Sequence, residues 1–191
     1  MSNETLGFIG LGVMGEPMCR NLVKKSGLTV VGFDRNVDPL ERLTSYGVVP
    51  AQDLVNALNN VDVVMVSLPS GAEVEELSLM EDGLLSQAHA GQTVIDFGTT
   101  PVELTRKLAT SFAAKGVAYA DAPVSRTRSA AEAGTLSILV GSKQHVFDSI
   151  LPLLDCFAEE VTHCGDVGAG QIVKQLNNMV LAQTVVALAE A

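Results

Sequence analysis

The sequence predicts an α/β fold, a doubly wound and mainly parallel sheet followed by the start of a long interdomain helix. Three observations point there. Short apolar runs alternate with helical stretches of roughly 10–15 residues, the rhythm of βαβ units with right-handed crossovers. The strand-like runs are continuously apolar, as strands buried on both faces are. From Gly168 the pattern becomes one helical stretch without a breaker, reaching Ala191. We therefore expect one α/β unit over residues 1–165 and a long helix over 166–191.

The elements follow in order. "TLGFIGLG" is a strand ending in glycines, and "MGEPMCRNLVKK" places Met14, Met18, Leu22 and Lys25 at helical spacing. "LTVVGFD" is the second strand, and "VDPLERLTSYG" a helix stopped by Gly47. "VDVVMVSLP" and "QTVIDFG" are the third and fourth strands. "PVELTRKLATSFAAKG" begins with Pro101 near the first helical position and ends at Gly116. "VAYADAP" and "TLSILVG" are strands, "HVFDSILPLLDCFA" a helix, and "EEVTHCG" a brief strand.

Composition narrows the function. The chain has 191 residues, 47% of them hydrophobic and only 4% aromatic, so its core is aliphatic. A net charge of −10 leaves no basic face for nucleic acid or an anionic membrane. Three cysteines with no CxxC pairing read as free thiols of a reducing compartment. The histidines have no ligand-like spacing with them, so no metal is expected. The N-terminus lacks the basic and apolar regions of a signal peptide, and no run of 18 apolar residues exists. A cytoplasmic protein is expected.

Gly10-x-Gly12-x-x-Gly15 stands between the first strand and the first helix, the Rossmann fingerprint in its proper context. The first glycine makes the turn, the second admits a pyrophosphate, and the third lets helix and strand pack. The helix N-terminus offers unpaired N–H groups to the phosphates. The segment Gly10, Leu11, Gly12, Val13, Met14 and Gly15 is the candidate phosphate loop. Asp34 ends the second strand, where a carboxylate accepts the ribose hydroxyls of NAD and repels the 2′-phosphate of NADP. Arg35 beside it softens that choice. NAD is the expected cofactor, ahead of NADP.

Four segments in this order resemble the β-hydroxyacid dehydrogenase family, the 3-hydroxyisobutyrate dehydrogenases and tartronate semialdehyde reductases. They are "FIGLGVMGEPM", "VSLPSGAEV" with "VIDFGTTP", "DAPVSRTRSAAEAGTLSILVG", and "GAGQIVKQLNNMV". The resemblance implies hydride transfer between nicotinamide and a short 3-hydroxy acid or its semialdehyde. It places Leu68 and Pro69 against the cofactor and Thr99 near the nicotinamide, with Gly98 where the family usually has serine. It makes Lys174 the catalytic proton donor or acceptor, a role that fits the chemistry of alcohol oxidation and carbonyl reduction. Asn178 lies at i+4 from Lys174, on the same side of one helix.

Relatives have Ser-Gly-Gly after "DAPV"; this chain has Ser125, Arg126 and Thr127. The resemblance makes this the substrate-binding segment, with the added arginine suited to a larger anion. The Arg-Thr pair is similar to the sulfolactaldehyde reductase branch, which makes a sulfonate-bearing aldehyde the alternative substrate. The opposing expectation is that Arg126 turns outward or pairs with an acid such as Glu132. Arg128 reads as a solvated loop cation.

Two function classes remain at this point: an NAD(P)-dependent oxidoreductase of a small anionic substrate, and a non-catalytic dinucleotide-binding module. The lysine favours the first and the short chain the second. Imine reduction is disfavoured, because relatives with that activity generally lack the lysine. Beyond Met179 the last helix is apolar nearly all round, which predicts burial against something further. The expectation is a chain that lacks a C-terminal helical domain, associates as a homo-oligomer (dimer or tetramer) through this helix, and is weak or inactive as 191 residues.

Overall fold

The computed structural model describes residues 4–191. Five central strands follow the expected plan: β1 (Thr5–Ile9), β2 (Thr29–Phe33), β4 (Val63–Val66), β5 (Thr93–Asp96) and β6 (Ala118–Asp121). They are parallel, in the order β2-β1-β4-β5-β6. Side chains alternate across the sheet. On β4, Val63 and Met65 enter one core while Val64 and Val66 enter the other. Both faces are thus apolar, which is why these runs read as continuously hydrophobic.

Helices cover both faces. α1 (Gly15–Ser26) and α8 (Gln144–Leu154) pack Met18, Leu22, Ile150 and Leu154 into one core. α6 (Val102–Ala113) packs Leu108 and Phe112 into the other. α2 (Val37–Thr44) is capped by Asn36, whose side chain accepts from the Asp38 N–H. Pro101 stands at the N-cap of α6, one position before the expected one.

The sheet continues past β6 through an antiparallel turn. β8 (Leu136–Gly141) runs antiparallel to β6 and to β7 (Val124–Ser125), and pairs in parallel with β9 (Ala158–Gly165). The brief strand expected near the end is eight residues long. Several short elements have no signal in the sequence reading: β3 (Val49–Pro50) at the sheet edge, α3 (Leu54–Leu58), α4 (Gly71–Leu79), α5 (Leu84–Gln87) and α7 (Arg128–Ala133). Arg128 therefore opens a helix rather than lying in a loop, and it pairs with Glu132 at 2.8 Å, one turn on.

α9 (Ala169–Glu190) carries the chain away from the sheet. Gly170 and Gln171 are its buried residues, and Leu176, Met179, Val180, Leu181, Val185 and Val186 are all exposed. Among the described residues no helix is long and apolar enough to cross a membrane.

Candidate cofactor and active site

β1 and β4 are neighbours, although the chain visits β2 and β3 between them. This is the switch point of a doubly wound sheet, where the carboxyl ends of the strands open a crevice. The glycine loop fills its rim. Gly10 has φ of +88°, and a Cβ there would collide with the Ser67 carbonyl. Gly15 starts α1 against the Gly10 carbonyl oxygen, closer than any side chain permits. Gly12 differs: a Cβ there would meet nothing within 4 Å. Its missing side chain leaves space open toward the crevice, as a backbone that receives a phosphate requires.

A cavity of about 710 Å³ lies in this crevice. It is lined by Gly10, Gly12, Val13, Met14 and Gly15 of the loop, by Asp34 and Arg35 after β2, and by Leu68, Pro69 and Thr99 after β4 and β5. Every residue expected at the cofactor lines it except Leu11. Leu11 is buried beneath the loop, where its N–H donates to Asp34 Oδ2 at 2.6 Å. Asp34 Oδ1 accepts from the Asn36 N–H at 2.8 Å. The Asp34 carboxylate thus holds the loop and the start of α2 in register while facing the cavity. Arg35 is drawn aside by Glu76 at 3.4 Å. The cavity also receives Glu73, whose carboxyl sits below its usual range because Ser70 donates a hydrogen bond to it.

Val124, Gly98 and Thr99 bring the cavity to the first turns of α9. Gln171 donates to the Gly98 carbonyl at 2.8 Å and accepts from the Thr100 N–H at 3.2 Å. One turn on, Lys174 Nζ donates to Ser125 Oγ at 3.3 Å, beside Val124. Lys174 is half-buried, and this burial lowers its pKa from the ordinary lysine value. The structure thus joins Lys174 and Ser125 next to Val124, a residue of the cavity's lining.

It does not bring the other predicted substrate residues there. Arg126, with φ of +82°, donates to the Thr135 carbonyl at 2.7 Å and pairs with Glu159. The acidic partner named from sequence, Glu132, is taken by Arg128 instead. Thr127 stands at the N-cap position of α7, its hydroxyl 2.7 Å from the Ser129 hydroxyl rather than on a helix N–H. Asn178 is exposed, one turn beyond Lys174.

Two buried carboxylates that sequence reasoning passed over organise this end. Asp96 accepts from the Gly98 N–H at 2.8 Å, Thr100 Oγ1 at 2.6 Å and Tyr119 OH at 3.3 Å. Burial raises its pKa to about 6, against the pull of those hydrogen bonds. Asp121 accepts from the N–H groups of Gly168 at 2.6 Å and Gln171 at 2.9 Å, at the positive end of α9. Burial raises its pKa too. The available signal was a carboxylate closing an apolar strand, in "VIDFG" and "AYADAP" alike.

Residues 5–165 match the family described as the NAD binding domain of 6-phosphogluconate dehydrogenase. The chain is 39% identical over 186 residues to the 2-(hydroxymethyl)glutarate dehydrogenase of Eubacterium barkeri, covering 97% of this chain and 62% of that protein. It is likewise 39% identical over 186 residues to the 3-hydroxyisobutyrate dehydrogenase of Pseudomonas aeruginosa, with the same coverage of 97% and 62%. Among solved structures, the 3-hydroxyisobutyrate dehydrogenase of Mycobacterium tuberculosis superposes with a TM-score of 0.91 at 36% identity, over 98% of this chain and 63% of that one. The chain thus spans less than two thirds of the length of these relatives. By the domain that fills most of its length, it belongs to the family of the NAD binding domain of 6-phosphogluconate dehydrogenase, among the β-hydroxyacid dehydrogenases.

Proposed function

We propose that this chain forms the cofactor-binding and proton-handling part of an NAD-dependent oxidoreductase acting on a short 3-hydroxy acid or its semialdehyde. The observation that carries the reading is the hydrogen bond from Lys174 to Ser125, next to Val124 of the cavity that Asp34 also lines. When bound, the nicotinamide ring supplies or accepts the hydride. The open face of Gly12 and the start of α1 suit the pyrophosphate, and Asp34 suits the adenosine ribose. Asp34 and Glu73 both face the cavity, which supports NAD over NADP because a 2′-phosphate would meet two carboxylates.

Lys174 handles the proton. In the reducing direction its ammonium gives one to the oxygen that gains charge as the carbonyl is reduced. In the oxidising direction the neutral amine takes the hydroxyl proton, and its half-buried position favours that neutral form. Ser125 fixes the amine beside the substrate's place. The tie of Arg126 to Glu159 and the Thr135 carbonyl supports a small carboxylate as the substrate's anionic group, ahead of a sulfonate.

We divide the chain near residue 165, into the dinucleotide-binding unit and a helix that links it to a helical domain. The end of the family match and the exposed apolar side chains of α9 support this. The same side chains support a homo-oligomer formed through α9. The free thiols of Cys19, Cys156 and Cys164 support a cytoplasmic setting.

The test uses the whole protein, NADH and a panel of short semialdehydes bearing carboxylate or sulfonate groups, followed by nicotinamide absorbance. Turnover of a carboxylate substrate that disappears in Lys174→Ala supports the reading. Tight NADH binding without turnover of any member supports the binding-module alternative instead.

A further inference from the structure

The molecule has a second cavity, of about 260 Å³, between α1, α2 and α7. Three of the chain's six arginines line it: Arg20 from α1, Arg42 from α2 and Arg128 from α7. That is a strong local concentration of cations in a chain of net charge −10. Two carboxylates share the cavity, and each is already engaged. Glu16 binds Arg42 through two hydrogen bonds of 2.7 Å, to Nε and to Nη2. Glu132 accepts from Arg128 Nε at 2.8 Å.

Arg20 is the cation in excess. Among the described residues it makes no ion pair and no hydrogen bond, and its guanidinium lies 5.8 Å from the centre of the Tyr46 ring. A guanidinium carries five N–H donors, so all those of Arg20 remain to be used. Arg128 keeps both terminal amino groups, and Arg42 keeps one. The carboxyl of Glu16 is held below its usual range first by its hydrogen bonds to Arg42, then by the charges of Arg42, Arg20 and Arg128. All three guanidinium groups therefore converge on one small volume.

We propose that this cavity is a binding site for a phosphate group, free or carried by a small metabolite, separate from the cofactor crevice. A tetrahedral oxyanion matches the forked donors of arginine and neutralises the charge that Glu16 and Glu132 leave over. The two cavities share a wall. Leu11, Gly12 and Val13 line this one, and Gly12 and Val13 line the larger one as well. An anion here rests on the back of the same glycine loop that faces the crevice.

Inorganic phosphate is the probe. The protein is first saturated with NADH, which occupies the crevice but carries no 2′-phosphate. Phosphate is then titrated calorimetrically at constant ionic strength, against a chloride control. The expected result is one saturable site, weakened by about tenfold or more in Arg20→Gln and in Arg128→Gln, the loss of one charge-assisted contact each. Lys115→Gln, far from the cavity, should leave it unchanged. Circular dichroism of each variant checks folding. If Arg20→Gln does not fold, Arg128→Gln alone decides, since that side chain is largely exposed. No saturable binding, or equal affinity in the arginine variants and the wild type, overturns the proposal. So does displacement of phosphate by NADPH but not by further NADH, which would assign the site to the cofactor's own phosphates.

Discussion

Asp121 and Gln171 are 50 residues apart in sequence, yet the Gln171 N–H donates to the Asp121 carboxylate at 2.9 Å. With the bond from Gly168, this fixes the first turn of α9 to the end of β6. Gly141 and Gly170 make the join possible. A Cβ on Gly141 would press on the Asp121 carboxylate, and one on Gly170 would overlap the Leu139 carbonyl. Lys174 inherits its position from this joint.

Replacing Lys174 by alanine should reduce turnover of the whole protein by about 10²–10⁴-fold, the range for a lost general acid–base group. NADH affinity, measured by fluorescence titration, should stay the same. Because burial favours the neutral amine, the oxidation rate should reach its plateau below the ordinary lysine pKa of about 10.4. A plateau at or above that pH, or near-normal turnover in the variant, removes the lysine from proton transfer.

The glycines of the loop should separate by mechanism. Gly12→Ala places its methyl group in open space, so thermal stability should hold while NADH binding weakens by about tenfold or more. Gly15→Ala drives a methyl into the Gly10 carbonyl, so the melting temperature itself should fall. Scanning calorimetry beside cofactor titration tells the two apart. Equal melting losses in both variants would contradict this account.

Asp34→Ala should act on stability and on cofactor choice together. The buried Leu11 N–H loses its acceptor, at a cost of about 1–3 kcal/mol in urea denaturation. The ratio of NADH to NADPH affinity should fall. If the ratio does not move, Asp34 serves only the loop.

Asp96 gives a pH signature. Its folded pKa, about 6, lies above the ordinary aspartate value of 3.8 because burial opposes the charge. Its contribution to stability is therefore fully present below about pH 4 and is lost as pH rises through about 6. Asp96→Asn keeps an acceptor for Gly98 and never ionises. Its melting temperature relative to wild type should climb between pH 4 and pH 7. A difference constant over that range would show that Asp96 does not titrate there.

The exposed side of α9 should drive association. Leu181→Glu with Val185→Glu places charges on that side without touching the sheet. Light scattering should report a self-associating wild type and a smaller double variant. Equal masses for the two would leave this face without that role.

How much of this was legible depends on the range of the interaction. The five central strands announce themselves because Val63, Val64, Met65 and Val66 are all buried, so no polar residue interrupts the run. The glycine loop is legible because its three glycines stand within six residues, although the Ser67 carbonyl that crowds Gly10 lies far along the chain. The joint at Asp121 is not, since its donors come from 47 and 50 positions later. Arg126 escaped for another reason. Its left-handed backbone is unusual for a residue with a side chain, and it brings a guanidinium expected at the substrate to Glu159 instead. Short pieces such as β3 and α5 carry too few residues to display a period.

The anchoring of α9 at one end makes it a lever with its pivot at Gly168–Gln171. Glu190 stands 19 residues past the pivot, about 28 Å along the axis at 1.5 Å per residue, and Lys174 only about 4.5 Å. A tilt of about 5° would swing the far end by about 2.5 Å while moving Lys174 by about 0.4 Å. The distal turns can therefore rock while the amine near the pivot keeps its aim.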